Sequence, residues 1–353
     1  MSRPFHRLRV AGVREEIGGA AKSLTFDVPE SLAATFAWRA GQHLTLRFLL
    51  DGTEHRRSYT ISSSPHSGLP LRITVKRVSG GIVSNHINDH VSIGTVLDVM
   101  PPFGSFCLDP GRLDRRTHYF FGAGSGITPL FSMIGSVLAA EPHSVAHLVY
   151  GNRDEPSILF KDDLAALIDR YPERLTISHV LSSPALLSWF TPWRRGKINR
   201  EAIAALIDEH PPYAQDTQYY ICGPGSMNRS VKEILRGFDV PPERIHSESF
   251  GGGQTEDDSV RGMAATATLV LSGETHQLDV GEGETILAAA CKAKLDPPYS
   301  CQSGICGACR AQLINGSVHM RSRAALEDRE IEEGAVLTCQ AVATSPAVKL
   351  TFD

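Results

Sequence analysis

The sequence predicts a multidomain chain: an antiparallel β-barrel, then an α/β domain with a parallel sheet, then a small β-grasp domain. Three observations predict it. Residues from about 5 to 110 hold short runs of alternating or β-branched residues bounded by Gly/Pro turns. From about 115 strands alternate with helical runs. Beyond a glycine-rich, acidic stretch come two strands, a helix and a loop with three closely spaced cysteines. At 353 residues the chain is long enough for three domains.

In order, Ser23–Val28, His43–Phe48 and Leu71–Val78 read as strands, and Pro101-Pro-Phe-Gly104 closes the barrel region. Thr117–Phe121, Ala146–Tyr150, Leu175–Leu181 and Gln218–Cys222 read as the strands of the α/β domain. Pro129–Ala140, Asp162–Arg170, Arg200–Ile207 and Ser226–Arg236 read as its helices. Gly251-Gly-Gly-Gln-Thr-Glu-Asp-Asp258 has no apolar period and reads as a linker. Thr266–Leu271 and His276–Val280 follow as strands, Ile286–Leu295 as a helix, and Asn315-Gly316 as a hairpin signal. The expected boundaries are 1–112, 113–250, a linker over 251–263, and 264–353.

Cys301, Cys306 and Cys309 stand at C-x4-C-x2-C spacing, with Cys339 further on. This is the plant-type ferredoxin spacing for a 2Fe–2S cluster. Each iron needs two thiolates under a tight loop whose N–H groups face the sulfur atoms, and Gly304 and Gly307 permit that fold. Two disulfides would need an oxidising compartment, and a zinc site usually shows two C-x2-C knuckles or added histidines. The other cysteines, Cys107 and Cys291, read as small buried residues.

The composition, 42% hydrophobic and 21% charged with net charge −4, is ordinary for a soluble globular chain. No strongly basic face points to nucleic acid. The first residues lack an apolar signal segment, so a cytoplasmic protein is expected. His118–Ala140 carries no Lys, Arg, Asp or Glu, but Gly122, Gly124, Gly126 and Pro129 point to a strand, a loop and a helix rather than a membrane span. Residues 264–353 hold 7 Lys/Arg against 11 Asp/Glu, so the acidic balance lies at the cysteine-bearing end. That balance reads either as a solvated helix face or as a docking face for a basic partner. His86 and His90 would share a helix face, but no third ligand is evident, so they read as ordinary helix residues.

Gly122-Ala-Gly-Ser-Gly-Ile-Thr-Pro129 lies between a strand and a helix, where N–H groups and a helix N-terminus can meet a pyrophosphate; a purely structural turn is the alternative. Arg57-Ser-Tyr-Thr60, Gly80-Gly-Ile-Val-Ser84, that glycine loop, Cys222-Gly-Pro-Gly225 and Glu248-Ser-Phe250 occur in one order. Together they resemble the ferredoxin–NADP reductase superfamily. With the ferredoxin-like end appended, the chain resembles the reductase components of bacterial oxygenases, of the phenylacetyl-CoA epoxidase or ketosteroid hydroxylase type.

The resemblance implies FAD, a 2Fe–2S cluster and NADH or NADPH. It also implies electron flow from the nucleotide through flavin and cluster to a terminal oxygenase, hydroxylase or desaturase. Arg57 would pair with the flavin pyrophosphate and Tyr59 would pack on the ring; Ser58 and Thr60 complete that motif, Thr60 standing where the family often has Ser. Val75 and Lys76 match the strand beside the flavin; Gly81, Ile82 and Ser84 match the loop and helix start that hold phosphates. Gly122, Gly124, Ser125, Gly126, Thr128 and Pro129 would cradle the nucleotide. Cys222, Gly223 and Pro224 match the segment near the nicotinamide, Phe250 the aromatic that covers the flavin, and Glu248 a group that orients the nicotinamide or relays a proton. Nucleotide preference leans to NADH, because Leu181-Ser-Ser183-Pro lacks the arginine of NADPH-preferring relatives, although Arg153, Arg194 or Arg195 could meet a 2′-phosphate. Two other readings are an iron–sulfur sensor with a vestigial flavin region and an ordinary dehydrogenase. The second lacks an acid–base pair beside the nicotinamide motif.

Overall fold

Leu44, Leu46 and Phe48 alternate with Thr45 and Arg47, and this period of two makes β3 (His43–Leu50) a strand with a buried aliphatic face. The computed structural model describes residues 4–184, 194–213, 216–250, 257, 259–326 and 328–352. The predicted linker falls largely outside them.

In the first domain β1 (His6–Glu16), β2 (Ala21–Asp27), β3, β4 (Thr53–Thr60), β5 (Arg72–Lys76) and β6 (Val96–Val99) form one antiparallel sheet in the order β4-β3-β6-β1-β2-β5. An antiparallel bridge between Ile61 and Ile73 brings the two edges together and closes the barrel. Leu8, Val10, Leu24, Leu44, Leu46, Ile73 and Val75 fill it. Helix α1 (Ile82–His90) follows β5 and buries Val83 and Ile87 against the barrel. On it His86 packs edge-on to Phe48, with ring centroids 5.4 Å apart, as an ordinary helix residue.

The second domain is a parallel sheet ordered β10-β9-β8-β7-β11-β12. Its strands are β7 (Arg116–Ala123), β8 (Val145–Asn152), β9 (Leu175–Leu181), β10 (Arg194–Arg195), β11 (Asp216–Gly223) and β12 (Ile245–Ser249). Between them run α2 (Ile127–Ala140), α3 (Lys161–Arg170), α4 (Arg200–Glu209) and α5 (Gly225–Arg236). The strand order reverses at β7, whose neighbours are β8 and β11. The crevice at that switch point is where open α/β sheets take their ligands. Both glycine motifs lie there, one after β7 and one after β11.

The third domain is a mixed sheet, β14-β13-β19-β15-β17, crossed by α6 (Ile286–Lys292). It comprises β13 (Ala265–Leu271), β14 (Glu274–Val280), β15 (Arg310–Asn315), β17 (Ala335–Leu337) and β19 (Ala347–Thr351). A separate pair joins β16 (Val318–Met320) to β18 (Ala341–Ala343), and α7 (Asp328–Glu332) precedes β17.

Three expectations change here. Asn315-Gly316 does not close a hairpin, because β15 pairs with β17 and β19 while β16 pairs with β18. Gly316 has φ +85, and a Cβ on it would stand 2.3 Å from the Ala347 carbonyl oxygen, so the turn tucks against β19 and redirects the chain to the second sheet. The helix of the third domain stops at Lys292 because Lys294 adopts a left-handed conformation and Leu295 N–H donates back to Ala290 O at 3.0 Å. Cys291 is exposed rather than buried, since it lies on the outer face of α6.

Candidate functional site

On β4, alternation sends Arg56, Ser58 and Thr60 to one face and Arg57 and Tyr59 to the other. Arg57 is exposed; its guanidinium donates to the Arg56 carbonyl at 2.7 Å and makes no ion pair among the described residues, so it is a cation available to an anionic ligand. Tyr59 packs against the barrel core, and burial pushes its phenol up, so the ring is neutral. Thr60 is buried. Across the barrel Val75 is buried and accepts a hydrogen bond from Asn88 Nδ2 at 3.1 Å. Ser84 Oγ accepts from Val78 N–H at 3.2 Å and folds back on Gly81, so this hydroxyl braces the turn, while Ile82 is exposed at its tip.

Lys76, beside Val75, reaches toward the second domain: a Cβ on Gly124 would stand 4.0 Å from its Nζ. Burial first, then the charge of Arg153, holds its ammonium below the usual lysine range. Gly124 has φ +54, and its carbonyl accepts from the fully buried Tyr150 hydroxyl at 3.0 Å. Thr128 Oγ1 caps the loop by donating to Ser125 O at 2.9 Å, and Pro129 is buried in the first turn of α2. Gly126 is required for a different reason. A Cβ there would lie 2.1 Å from Cys222 O, so loop and β11 touch backbone to backbone.

That contact brings the two glycine motifs together. Cys222 is fully buried among apolar residues, and burial pushes its thiol well up, which suits packing and not nucleophilic attack. It faces Glu248 in the β11–β12 register, with Gly223 opposite Ser249, and Phe250 N–H donates to Gly223 O at 3.1 Å. Pro224 is the N-cap of α5. Phe250 packs against the Cys222 core. Glu248 Oε2 is buried without a hydrogen-bond partner, and burial pushes the carboxyl up to about 8. Asn228 Nδ2 donates to Glu248 O at 2.7 Å and Ser249 Oγ at 2.9 Å, anchoring this strand. Glu248 opens on a cleft of about 1580 Å³, which also meets Cys107 of the barrel and Cys306 of the third domain.

The cysteine loop folds as the spacing requires. The thiols stand in two pairs, Cys301 with Cys306 and Cys309 with Cys339. Backbone N–H groups of Ser303 and Cys306 point at Cys301 Sγ from 3.4 Å, and that of Ala308 at Cys306 Sγ from 3.5 Å. Gly304 and Gly307 have φ +72 and +67. No three His, Cys, Asp or Glu side chains converge on one point among the described residues. A two-iron cluster asks for two pairs of thiolates instead, so the residues fit it. Thr338 Oγ1 donates to Cys309 O at 2.9 Å and Gln340 Nε2 to Gln302 O at 2.9 Å, pinning the loop. Tyr150, Asn228, Thr338 and Gln340 carry no motif of their own, and nothing in the sequence singles them out.

Arg153 pairs with Asp154 at 2.8 Å, and Arg194 grips both oxygens of Glu209 at 2.6 and 2.7 Å. In the acidic region Glu330 meets Arg310 at 3.2 Å and Glu333 meets Arg329 at 2.9 Å; Glu327 lies outside the described residues.

Family models agree with this division. An oxidoreductase FAD-binding domain matches residues 11–107, an oxidoreductase NAD-binding domain 120–233, and a 2Fe–2S iron–sulfur cluster binding domain 269–344. The chain is 36% identical to the ferredoxin reductase component of 3-ketosteroid-9-alpha-monooxygenase from Rhodococcus rhodochrous, over 98% of this chain and 96% of that one. It is 34% identical to one of the subunits of 1,2-phenylacetyl-CoA epoxidase from Escherichia coli, over 99% and 98%. Among solved structures, phthalate dioxygenase reductase, described as modular for electron transfer from pyridine nucleotides to [2Fe–2S], superposes with a TM-score of 0.61 at 25% identity, covering 99% of this chain and 98% of that one.

Proposed function

Because the chain belongs to the oxygenase reductase components that join FAD-binding, NAD-binding and 2Fe–2S domains, we propose how its own residues carry out that family's work. The protein is an NAD(P)H-dependent reductase that passes electrons through FAD and a 2Fe–2S cluster to a terminal oxygenase, hydroxylase or desaturase. When bound, FAD exchanges electron pairs for single electrons and the cluster offers the one-electron outlet.

The protein residues bind, orient and shield. Arg57 would meet the flavin pyrophosphate and Tyr59 would support the ring, with Thr60 ending the strand beside it, whereas the Ser58 hydroxyl faces the third domain and donates to Ser300 Oγ. The turn at Gly81, with Ile82 and Ser84, would receive the flavin phosphates, and Val75, buried in the barrel core, holds the neighbouring strand in place. Lys76 and the Gly122–Pro129 loop receive the nicotinamide nucleotide at the sheet's switch point. Cys222, Gly223 and Pro224 give the nicotinamide a flat, apolar floor. Phe250, packed against the Cys222 core, would shield the bound flavin. Glu248, neutral at pH 7, can hold a proton next to the nicotinamide without placing a charge there. Cys301, Cys306, Cys309 and Cys339 hold the cluster.

The arrangement of four thiols in two pairs under a fan of N–H groups carries this reading. We place the domain boundaries at 1–112, 113–250 and 264–353, which contain the three matched regions. NADH is the preferred donor, since Arg153 and Arg194 are engaged by acidic partners. No helix among the described residues is long and apolar enough to cross a membrane, and we place the protein in the cytoplasm. The test is an anaerobic visible spectrum titrated with NADH and then NADPH. Flavin bands and a broad cluster absorption that bleach in three one-electron equivalents are expected, NADH acting first. A cluster signal without flavin, indifferent to both nucleotides, would refute the reading in favour of a sensor.

A further inference from the structure

The third domain touches the barrel through a small set of polar and aromatic groups. Arg56 is the centre of it. Its neighbours on β4, His55 and Arg57, are half-buried and exposed, yet Arg56 is only 5% exposed, because the third domain covers it. Its guanidinium donates to Glu54 at 2.8 Å and to Asp296 at 2.7 Å. It lies over the Tyr299 ring at 4.1 Å and near the Phe5 ring at 5.1 Å. Tyr299 OH donates to Glu54 Oε1 at 3.2 Å and closes the network. Planar, fork-shaped and permanently charged, arginine suits such a junction of carboxylates and rings.

Two residues along the same face of β4, Ser58 Oγ donates to Ser300 Oγ at 2.9 Å. Ser300 is buried and immediately precedes Cys301. The segment linking these contacts, Asp296-Pro-Pro-Tyr-Ser-Cys301, carries two prolines with fixed φ. A stiff segment means that where Asp296 and Tyr299 are held, Cys301 is held too. The opposite face of this strand carries Arg57 and Tyr59.

We propose that Arg56 is a positioning residue that pins the cluster-bearing domain, through Asp296 and Tyr299, so that the ligand Cys301 directly follows Ser300, the residue that touches the strand that holds the flavin. This rests on the reading that electrons reach the cluster from that flavin. The pin is releasable by construction. Asp296 is 68% exposed, so water and salt compete for its half of the ion pair. A domain that must also reach an outside acceptor benefits from a contact that holds but does not lock.

The experiment uses the protein loaded with flavin and cluster, mixed anaerobically with NADH, the bleaching of each followed separately. Hydrogen exchange over residues 295–300 is measured in parallel, as a readout of docking independent of turnover. Asp296→Asn, on the exposed rim, is expected to slow cluster bleaching about two- to fivefold. Arg56→Met is expected to slow it more than tenfold, and Arg56→Lys, which keeps the charge but not the fork, falls between. Flavin reduction by NADH stays within about twofold of the parent, and exchange over 295–300 speeds up in the same order as the bleaching slows. Cluster bleaching and exchange at parental rates in all three variants would overturn the pin. So would flavin and cluster slowing together, which would assign Arg56 to the flavin. If the parent's cluster is not bleached by NADH at all, the underlying electron route fails, and the inference with it.

Discussion

Glu248→Gln should change how stability depends on pH. The carboxyl is buried on the β12 side of the Cys222 floor and pushed up from 4.5 to about 8. The folded protein therefore keeps a proton that the unfolded chain releases above 4.5. The stability this group contributes is complete below 4.5, falls as pH rises toward 8, and is flat beyond. At 1.36 kcal/mol per pH unit the full span amounts to roughly 4–5 kcal/mol, an upper bound. The residue is not wholly buried, so solvent reduces this to ~2–4 kcal/mol. Glutamine does not ionise and removes the decline. Its amide also enters a site where Oε2 has no partner, which adds a pH-independent cost. The readout is therefore the slope and not the level: urea unfolding of both proteins between pH 5 and 9, with the difference in stability plotted against pH. The variant should gain on the parent by a few kcal/mol between pH 5 and 9. Parallel curves would refute a carboxyl held neutral in the folded protein.

Three further outcomes are expected. Cys339→Ser should abolish the cluster absorption while leaving flavin bands and their bleaching by NADH, checked by visible and EPR spectra, because one iron loses half of its thiolate pair. Gly126→Ala forces a Cβ within 2.1 Å of the Cys222 carbonyl oxygen, so it should cost about 1–3 kcal/mol of stability and raise the KM for NADH, measured by thermal melts and steady-state kinetics. Glu209→Gln should free Arg194, beside Val180 at the end of the third parallel strand, and shift preference toward NADPH by roughly three- to tenfold, ~0.7–1.4 kcal/mol, read as the ratio of kcat/KM values.

Much of this molecule was legible because its elements obey local rules. The period of two in His43–Phe48, the alternation of strand and helix from Thr117, and the C-x4-C-x2-C spacing each follow from chemistry within a few residues. The structure departs where a long-range contact overrides a local signal. Asn315-Gly316 has the residues of a hairpin turn, but Gly316 fits closely against Ala347, 31 residues away, and the turn serves two sheets. Cys291 lies on a short helix whose buried face is carried by Ile286, Leu287, Ala289 and Ala290, so its phase on the helix, and not its apolar character, decided its exposure. The supports of the site were illegible for the same reason. Tyr150 holds the glycine loop and Arg56 meets Asp296 across 240 residues, and neither belongs to a local pattern.

The parallel pairing of β13 with β19 has a consequence for how the third domain comes into being. Thr266–Val270 align with Ala347–Thr351, so the central strand of this sheet comes after all four cysteines in the chain. During synthesis every thiol emerges from the ribosome before the sheet that shelters it can close. The nascent segment thus presents four free cysteines for as long as its longest-range contact is missing, and such distant pairings are the slow ones. Oxidation or capture by a stray metal ion competes with correct assembly in that interval. The order of the chain, and not only the stability of the finished domain, thus bears on how the four thiols come to be sheltered.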